Sequence, residues 1–191
     1  PPRNFIEILK KIWWKLDRAL DEETIYYSAL VGAIEAVRNG TTTIIDHHAS
    51  PNTISGSLNI IKEAMAKVGL RGVLCYEVTD RGGKKQRDEG IAENEKFIRA
   101  NHKNSFFRGL VGAHASFTLS DESLALCGEL ASAYNTGVHI HVAEDLCDVV
   151  DAEKKYHCSI IDRLSNNNIL TNNSIFAHCI HLSQKDYSRL N

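Results

Sequence analysis

The segment Gly137-Val-His-Ile-His-Val-Ala-Glu144 holds the residues best spaced for chemistry. On a β-strand, residues two apart share a face, so His139 and His141 point the same way. His141 lies nearer the carboxyl end of that strand, where a metal would sit, and a neutral imidazole there suits zinc or iron(II). Glu144 follows as the strand opens into a loop, placed to take a proton from water activated by such an ion. The competing reading is a pair of core histidines satisfied by hydrogen bonds, and it weighs more heavily on His139 than on His141. In Ser174-Ile-Phe-Ala-His-Cys-Ile-His-Leu182, His178 ends an apolar strand one strand–helix unit later, suited to orient water or to stabilise charge on a leaving nitrogen. His181 opens the following loop and reads as structural.

Further candidates end other apolar runs. Asp46, His47 and His48 close Thr42–Asp46 and its continuation, and they read either as substrate-binding and supporting groups or as caps of the turn Ala49-Ser50-Pro51. Glu77 ends Arg71–Val78 and would bind a substrate amine, or would pair with Arg81 on the rim, an arrangement contributing only ~0–1 kcal/mol. His114 ends Phe107–His114. The 5 cysteines are scattered, odd in number and free of any C-x-x-C pair, so they read as free thiols.

These residues need elements to place them. Strand-like runs begin near residues 42, 71, 107, 137 and 174, roughly one every 33 residues. Helical patterns at 56–68, 84–103, 121–135 and 148–165 separate them. Short, continuously apolar strands alternating with helices predict parallel strands covered on both faces. Eight such units would come to about 264 residues, close to the ~250 of a (β/α)₈ barrel. An open sheet would gather its ligands at one switch point, usually with a glycine-rich phosphate loop, and no G-x-G-x-x-G is present. Polar groups at the carboxyl end of strand after strand predict the barrel instead. Ahead of the first strand, Phe5, Leu9, Ile12, Trp13, Leu16 and Leu20 predict an amphipathic helix. Asp21 then predicts the N-cap of a second helix that stops at Asn39-Gly40.

Composition narrows the function classes. The chain has 191 residues, 43% hydrophobic and 24% charged, with a formal net charge of −2. That is a globular composition without the basic footprint of a nucleic-acid binder or a polybasic membrane patch. No apolar run approaches the ~18 residues that span a bilayer. The expectation is a cytoplasmic protein with a small-molecule partner, no nucleic acid and no membrane.

Taken together, Asp46–Pro51 (DHHASP), Leu74–Arg81 (LCYEVTDR), Ala113–Glu122 (AHASFTLSDE) and His139–Asp145 (HIHVAED) resemble the amidohydrolase superfamily. Within it the chain is most similar to the aminohydrolase and chlorohydrolase branch, SsnA-type aminohydrolases in particular. The resemblance implies an α/β fold: a partial (β/α)₈ TIM barrel, strands two to six with their helices, so that 1–191 is expected to be the central part of one catalytic barrel. It implies one divalent metal ion, zinc or iron(II), with His141 as a metal ligand, Glu144 as proton shuttle and His178 as a catalytic histidine. His114, His47, His48 and Glu77 fall where relatives contact substrate, and a histidine at 114 favours a mononuclear site. The family's first-strand H-x-H and eighth-strand Asp have no counterpart here. The activity implied is hydrolytic deamination of a purine-like or other nitrogen heterocycle by metal-bound hydroxide. Hydrolysis of a chloro or amide substrate, a catalytically incomplete binding or assembly module, and homodimerisation stay open.

Overall fold

The computed structural model describes residues 1–190. The chain begins with a helical segment over 5–19, built from α1 (Phe5–Ile8), a π-helical turn (Leu9–Trp13) and α2 (Trp14–Ala19). Its apolar stripe is not buried as an amphipathic helix would bury it: Leu9 is covered, whereas Ile12, Trp13 and Leu16 stay about half exposed. α3 (Glu22–Arg38) starts as predicted at Asp21, whose carboxylate accepts from the Thr24 N–H at 2.8 Å while the Asp21 N–H donates to Thr24 Oγ1 at 2.8 Å. This reciprocal cap satisfies two donors that a helix start otherwise leaves open.

The strands and helices then alternate: β1 (Thr43–His48), α4 (Ser57–Lys67), β2 (Arg71–Val78), α5 (Gly83–Asn101), β3 (Phe107–Gly109) and β4 (Val111–Ala115). They continue with α6 (Asp121–Ala133), β5 (Val138–Val142), α7 (Leu146–Tyr156), α8 (Ile160–Asn166), β6 (Ile175–His178) and α9 (Gln184–Leu190). All strand pairings are parallel, in the order β1-β2-β4-β5-β6, with β3 also pairing with β2. The sheet curls as part of a (β/α) barrel with helices on its outer face. The third predicted strand is thus two short ones, and the helix predicted over 148–165 is also two. His157 takes a left-handed φ of 54° and ends α7, and Ser159 caps α8 by accepting from the Asp162 N–H at 3.1 Å.

Alternation along each strand decides what faces where. Leu74, Tyr76 and Val78 of β2 and Val138, Ile140 and Val142 of β5 pack outward into two apolar clusters shared with the helices. Cys75, Glu77, His139 and His141 therefore face inward. Asn94 of α5 reinforces the β2–β4 seam, its side chain bonding both the N–H and the C=O of Tyr76 at 2.8 Å. Gly112 permits the close approach there: a Cβ would lie 2.2 Å from the Tyr76 carbonyl oxygen.

Two buried side chains fix the loops at the carboxyl ends. Asp148 accepts from the Phe117 N–H at 3.1 Å and from the Ala143 N–H at 2.9 Å, joining the ends of β4 and β5. Arg163, 1% exposed, donates to the carbonyls of Ser116 and Leu119 at 2.6 and 2.7 Å. Among the described residues no helix is long and apolar enough to cross a membrane, and all five cysteines are unpaired.

Candidate active site

A cavity of about 370 Å³ opens at the carboxyl ends of the strands, lined by His47, Glu77, His114, His141, Glu144 and His178 and, from the N-terminal helical segment, by Trp13, Trp14 and Asp17. Its size is that of a small-ligand pocket. Six of the seven residues to which the family resemblance gives a site role thus meet in one place. His48 does not. Neighbouring strand residues face opposite ways, so when His47 points in, His48 points out toward the groove between β1 and α3, where its Nε2 lies 2.8 Å from Ser50 Oγ. Ser50 gives its own proton to the Thr53 carbonyl at 2.7 Å, so His48 is the donor of that bond. The structure thus places the His48 ring outside this cavity, in a hydrogen bond that closes the β1 turn.

The register of β4 against β5 shifts between Ala113 and Ala115, a bulge centred on His114. A bulge leaves one residue out of the ladder and re-aims it. The His114 carbonyl is taken up by the His141 ring, whose Nδ1 lies 2.8 Å away. A carbonyl only accepts, so Nδ1 carries the proton and Nε2 presents its lone pair to the cavity. Burial holds His141 below its ordinary pKa, and burial together with neighbouring imidazoles holds His47 well below. Neutral imidazoles are the ligating form.

His47 is the centre of the inward cluster. Its ring lies 4.7 Å from that of His139 and 4.6 Å from that of His141, centroid to centroid. Its buried Nε2 has no hydrogen-bond partner and is 3.8 Å from Glu77 Oε2. Glu77 is no surface rim group: its side chain is 9% exposed, and Arg81 contacts it while stacking over Trp14 at 4.6 Å. Burial pushes the Glu77 carboxyl up to about 8, outweighing the nearby guanidinium. A cation in the cavity acts in the opposite direction.

At the outer lip Glu144 Oε2 lies 3.4 Å from His178 Nε2, both side chains about one-third exposed. The backbone is left-handed there, with φ 49° at Ala143, 74° at His178 and 55° at Cys179. Such non-glycine conformations cost about 1–3 kcal/mol each and concentrate at functional sites. The His181 N–H donates to the Ala143 carbonyl at 3.0 Å, which ties the loop after β6 to the loop after β5.

Two donor sets lie within 4.8 Å among the described residues: His47, Glu77 and His141, and His47, Cys75 and His139. The first has the nitrogen and oxygen donors of a hydrolytic divalent-metal site, with an orphaned buried nitrogen aimed into it, so the residues fit a divalent ion. Sequence reasoning passed over Cys75, which reads as an ordinary thiol until its inward face, shared with Glu77 two residues on, is considered. It also passed over Trp14 and Asp17, because nothing in a helical apolar stripe says that its helix covers a cavity.

Residues 3–191 match the sequence profile of the Amidohydrolase family. The chain is 30% identical over 184 residues to a 5'-deoxyadenosine deaminase of Methanocaldococcus jannaschii, covering 95% of this chain and 42% of that protein. It is 29% identical over 180 residues to a 5-methylthioadenosine/S-adenosylhomocysteine deaminase of Thermoanaerobacter pseudethanolicus, covering 93% of this chain and 40% of the relative. The chain therefore spans about 40% of the length of the curated relatives it matches. Its fold superposes on the zinc complex of an atrazine chlorohydrolase from Arthrobacter aurescens TC1 with a TM-score of 0.82 and 16% identity, over 99% of this chain and 46% of that one.

Proposed function

The chain belongs to the amidohydrolase family, and from that premise we propose that its protein is a metal-dependent hydrolase that releases ammonia from a purine-like nitrogen heterocycle. The named activities of the two deaminase relatives support that substrate class. The motifs quoted above favour the SsnA-type aminohydrolases as the branch. The observation that carries the reading is the His141 ring, tautomer-locked by the His114 carbonyl, on the same mouth as the Glu144–His178 pair.

His141 would hold a divalent ion, zinc or iron(II), through Nε2, with His47 and Glu77 within ligating reach. Bound there, the ion supplies Lewis-acid activation of water at neutral pH. Glu144 takes the proton of the attacking water and passes it to the ring nitrogen or the departing amine, the work of a general acid–base. His178, held against Glu144, orients the water and shields the charge that grows as the carbon becomes tetrahedral. His114 and Glu77 line the wall against which the heterocycle lies, and Trp14 offers it a flat apolar face.

The test is ammonia release from 5'-deoxyadenosine, guanine and a chlorotriazine by the purified protein, with and without a chelator. Chelator-sensitive ammonia from a purine is the expected result. Chloride release alone would favour a dechlorinating hydrolase, the reading that the fold shared with the chlorohydrolase supports. Metal uptake with no turnover on any of the three would favour a binding module.

A further inference from the structure

Beneath the mouth of the cavity three donors from three strands converge: His47 on β1, Cys75 on β2 and His139 on β5. Cys75 is fully buried and His139 is 8% exposed. Cys75 Sγ lies 3.6 Å from Nδ1 of His47 and 3.7 Å from Nδ1 of His139. A tetrahedral ion with metal–sulfur near 2.3 Å and metal–nitrogen near 2.0–2.1 Å holds its sulfur and nitrogen ligands about 3.6 Å apart. Both sulfur–nitrogen edges of a tetrahedral site are therefore already set by the sheet. Without an ion, the thiol has only a 3.4 Å contact to the Asp46 carbonyl besides the two imidazoles.

We propose that His47, Cys75 and His139 form a second metal site, for one thiophilic divalent ion of the zinc class, below the ion held on the His141 side. The two ring nitrogens of His47 face opposite ways: Nδ1 toward Cys75 and Nε2 toward Glu77. His47 is thus the one residue common to both donor sets. Filling the inner site displaces the Cys75 thiol proton to solvent and forms the metal–sulfur bond. Were both sites filled, His47 would serve the two ions only as an imidazolate, its remaining N–H proton passing to solvent. The mixed nitrogen–sulfur set separates the sites by chemistry: the inner one selects thiophilic ions, and the outer one accepts zinc or iron(II) alike. The inner site does not depend on the deaminase reading, which needs only the His141 side.

The test uses metal-stripped protein titrated with cadmium, whose thiolate complexes show a ligand-to-metal charge-transfer band. Wild type should develop one such band per chain. Cys75→Ser should abolish it, His139→Gln should raise the cadmium concentration needed by tenfold or more, and His141→Asn should leave it in place. A band that survives Cys75→Ser, or no band in folded wild type, would overturn the proposal. Zinc-edge X-ray absorption of the wild-type protein gives an answer that needs no variant. A sulfur neighbour at about 2.3 Å is expected, and a shell of nitrogen and oxygen alone would reject the site. Loss of ammonia release in His141→Asn with the cadmium band intact would separate the two readings.

Discussion

The Nδ1 of His141 lies 2.8 Å from the carbonyl oxygen of His114, and this bond depends on the bulge that takes His114 out of the β4–β5 ladder. Because the acceptor is backbone, replacing the His114 side chain leaves the lock in place. His114→Ala should keep metal affinity within a few-fold. His141→Ala removes the ligand itself, and outer hydrogen-bond partners alone are worth 10–100-fold, so affinity at the outer site should fall by on the order of 100-fold or more. Isothermal titration with zinc compares the two. Equal losses in both variants would show that the His114 side chain, and not its carbonyl alone, supports the outer ion.

Glu144 is about one-third exposed, and its side chain pairs with His178 at 3.4 Å. Glu144→Gln should therefore preserve fold and metal content while lowering kcat by ~10²–10⁴, the range for lost general acid–base help. Turnover within twofold of wild type would remove Glu144 from the reaction.

Much of this arrangement is legible in the sequence, for reasons that differ by element. Continuous apolar runs mark β2 and β5 because both faces of these strands are covered, and Asp21 marks its helix start because its side chain caps locally. The meeting of His141, Glu144 and His178 follows from consecutive parallel strands ending on one side. What is hidden depends on tertiary contacts. The spacing of His47 and His48 says that only one can face inward, but which one is decided by the packing of Ile44 among the apolar side chains of α3 and α4. The division into β3 and β4 at Leu110 depends on β2 changing its partner along its length. The pairing of Cys75 with two imidazoles from other strands has no local signature at all.

Asp148 makes a pH-dependent contribution that can be read directly. Burial raises its carboxyl to about 6, outweighing the two N–H groups that donate to it. A carboxyl with a raised folded pKa binds its proton more tightly folded than unfolded. Its stabilisation is full below the unfolded value of 3.8 and is lost as pH rises through about 6. At 1.36 kcal/mol per unit the span is up to about 3 kcal/mol. Urea unfolding of wild type and Asp148→Asn, which does not titrate, should show the stability difference shifting toward wild type as pH falls from 7 to 4. A difference that stays flat with pH would show that Asp148 keeps an ordinary pKa.

Arg163 stabilises the turn after β4. Besides the two carbonyls, it donates to Ser116 Oγ at 2.7 Å and to Asp121 Oδ1 at 2.9 Å, and its guanidinium sits 3.4 Å above the Tyr156 ring. Arg163→Met keeps much of the volume but strips the donors, leaving the buried Leu119 carbonyl unpaired and the Ser116 carbonyl with only its 3.3 Å turn bond from the Leu119 N–H. Because Asp121 is solvent-exposed, the loss is that of an unsatisfied buried acceptor, about 1–3 kcal/mol. Arg163→Lys restores a charge without the planar fork and should recover only part of that loss. Because the turn Ser116–Thr118 follows His114 by one residue and supplies the Thr118 hydroxyl 2.7 Å from its ring, both variants should also raise KM more than they lower kcat. Denaturant unfolding and steady-state kinetics on the same preparations test both statements. A methionine variant within 1 kcal/mol of wild type would mean that the turn holds without the arginine.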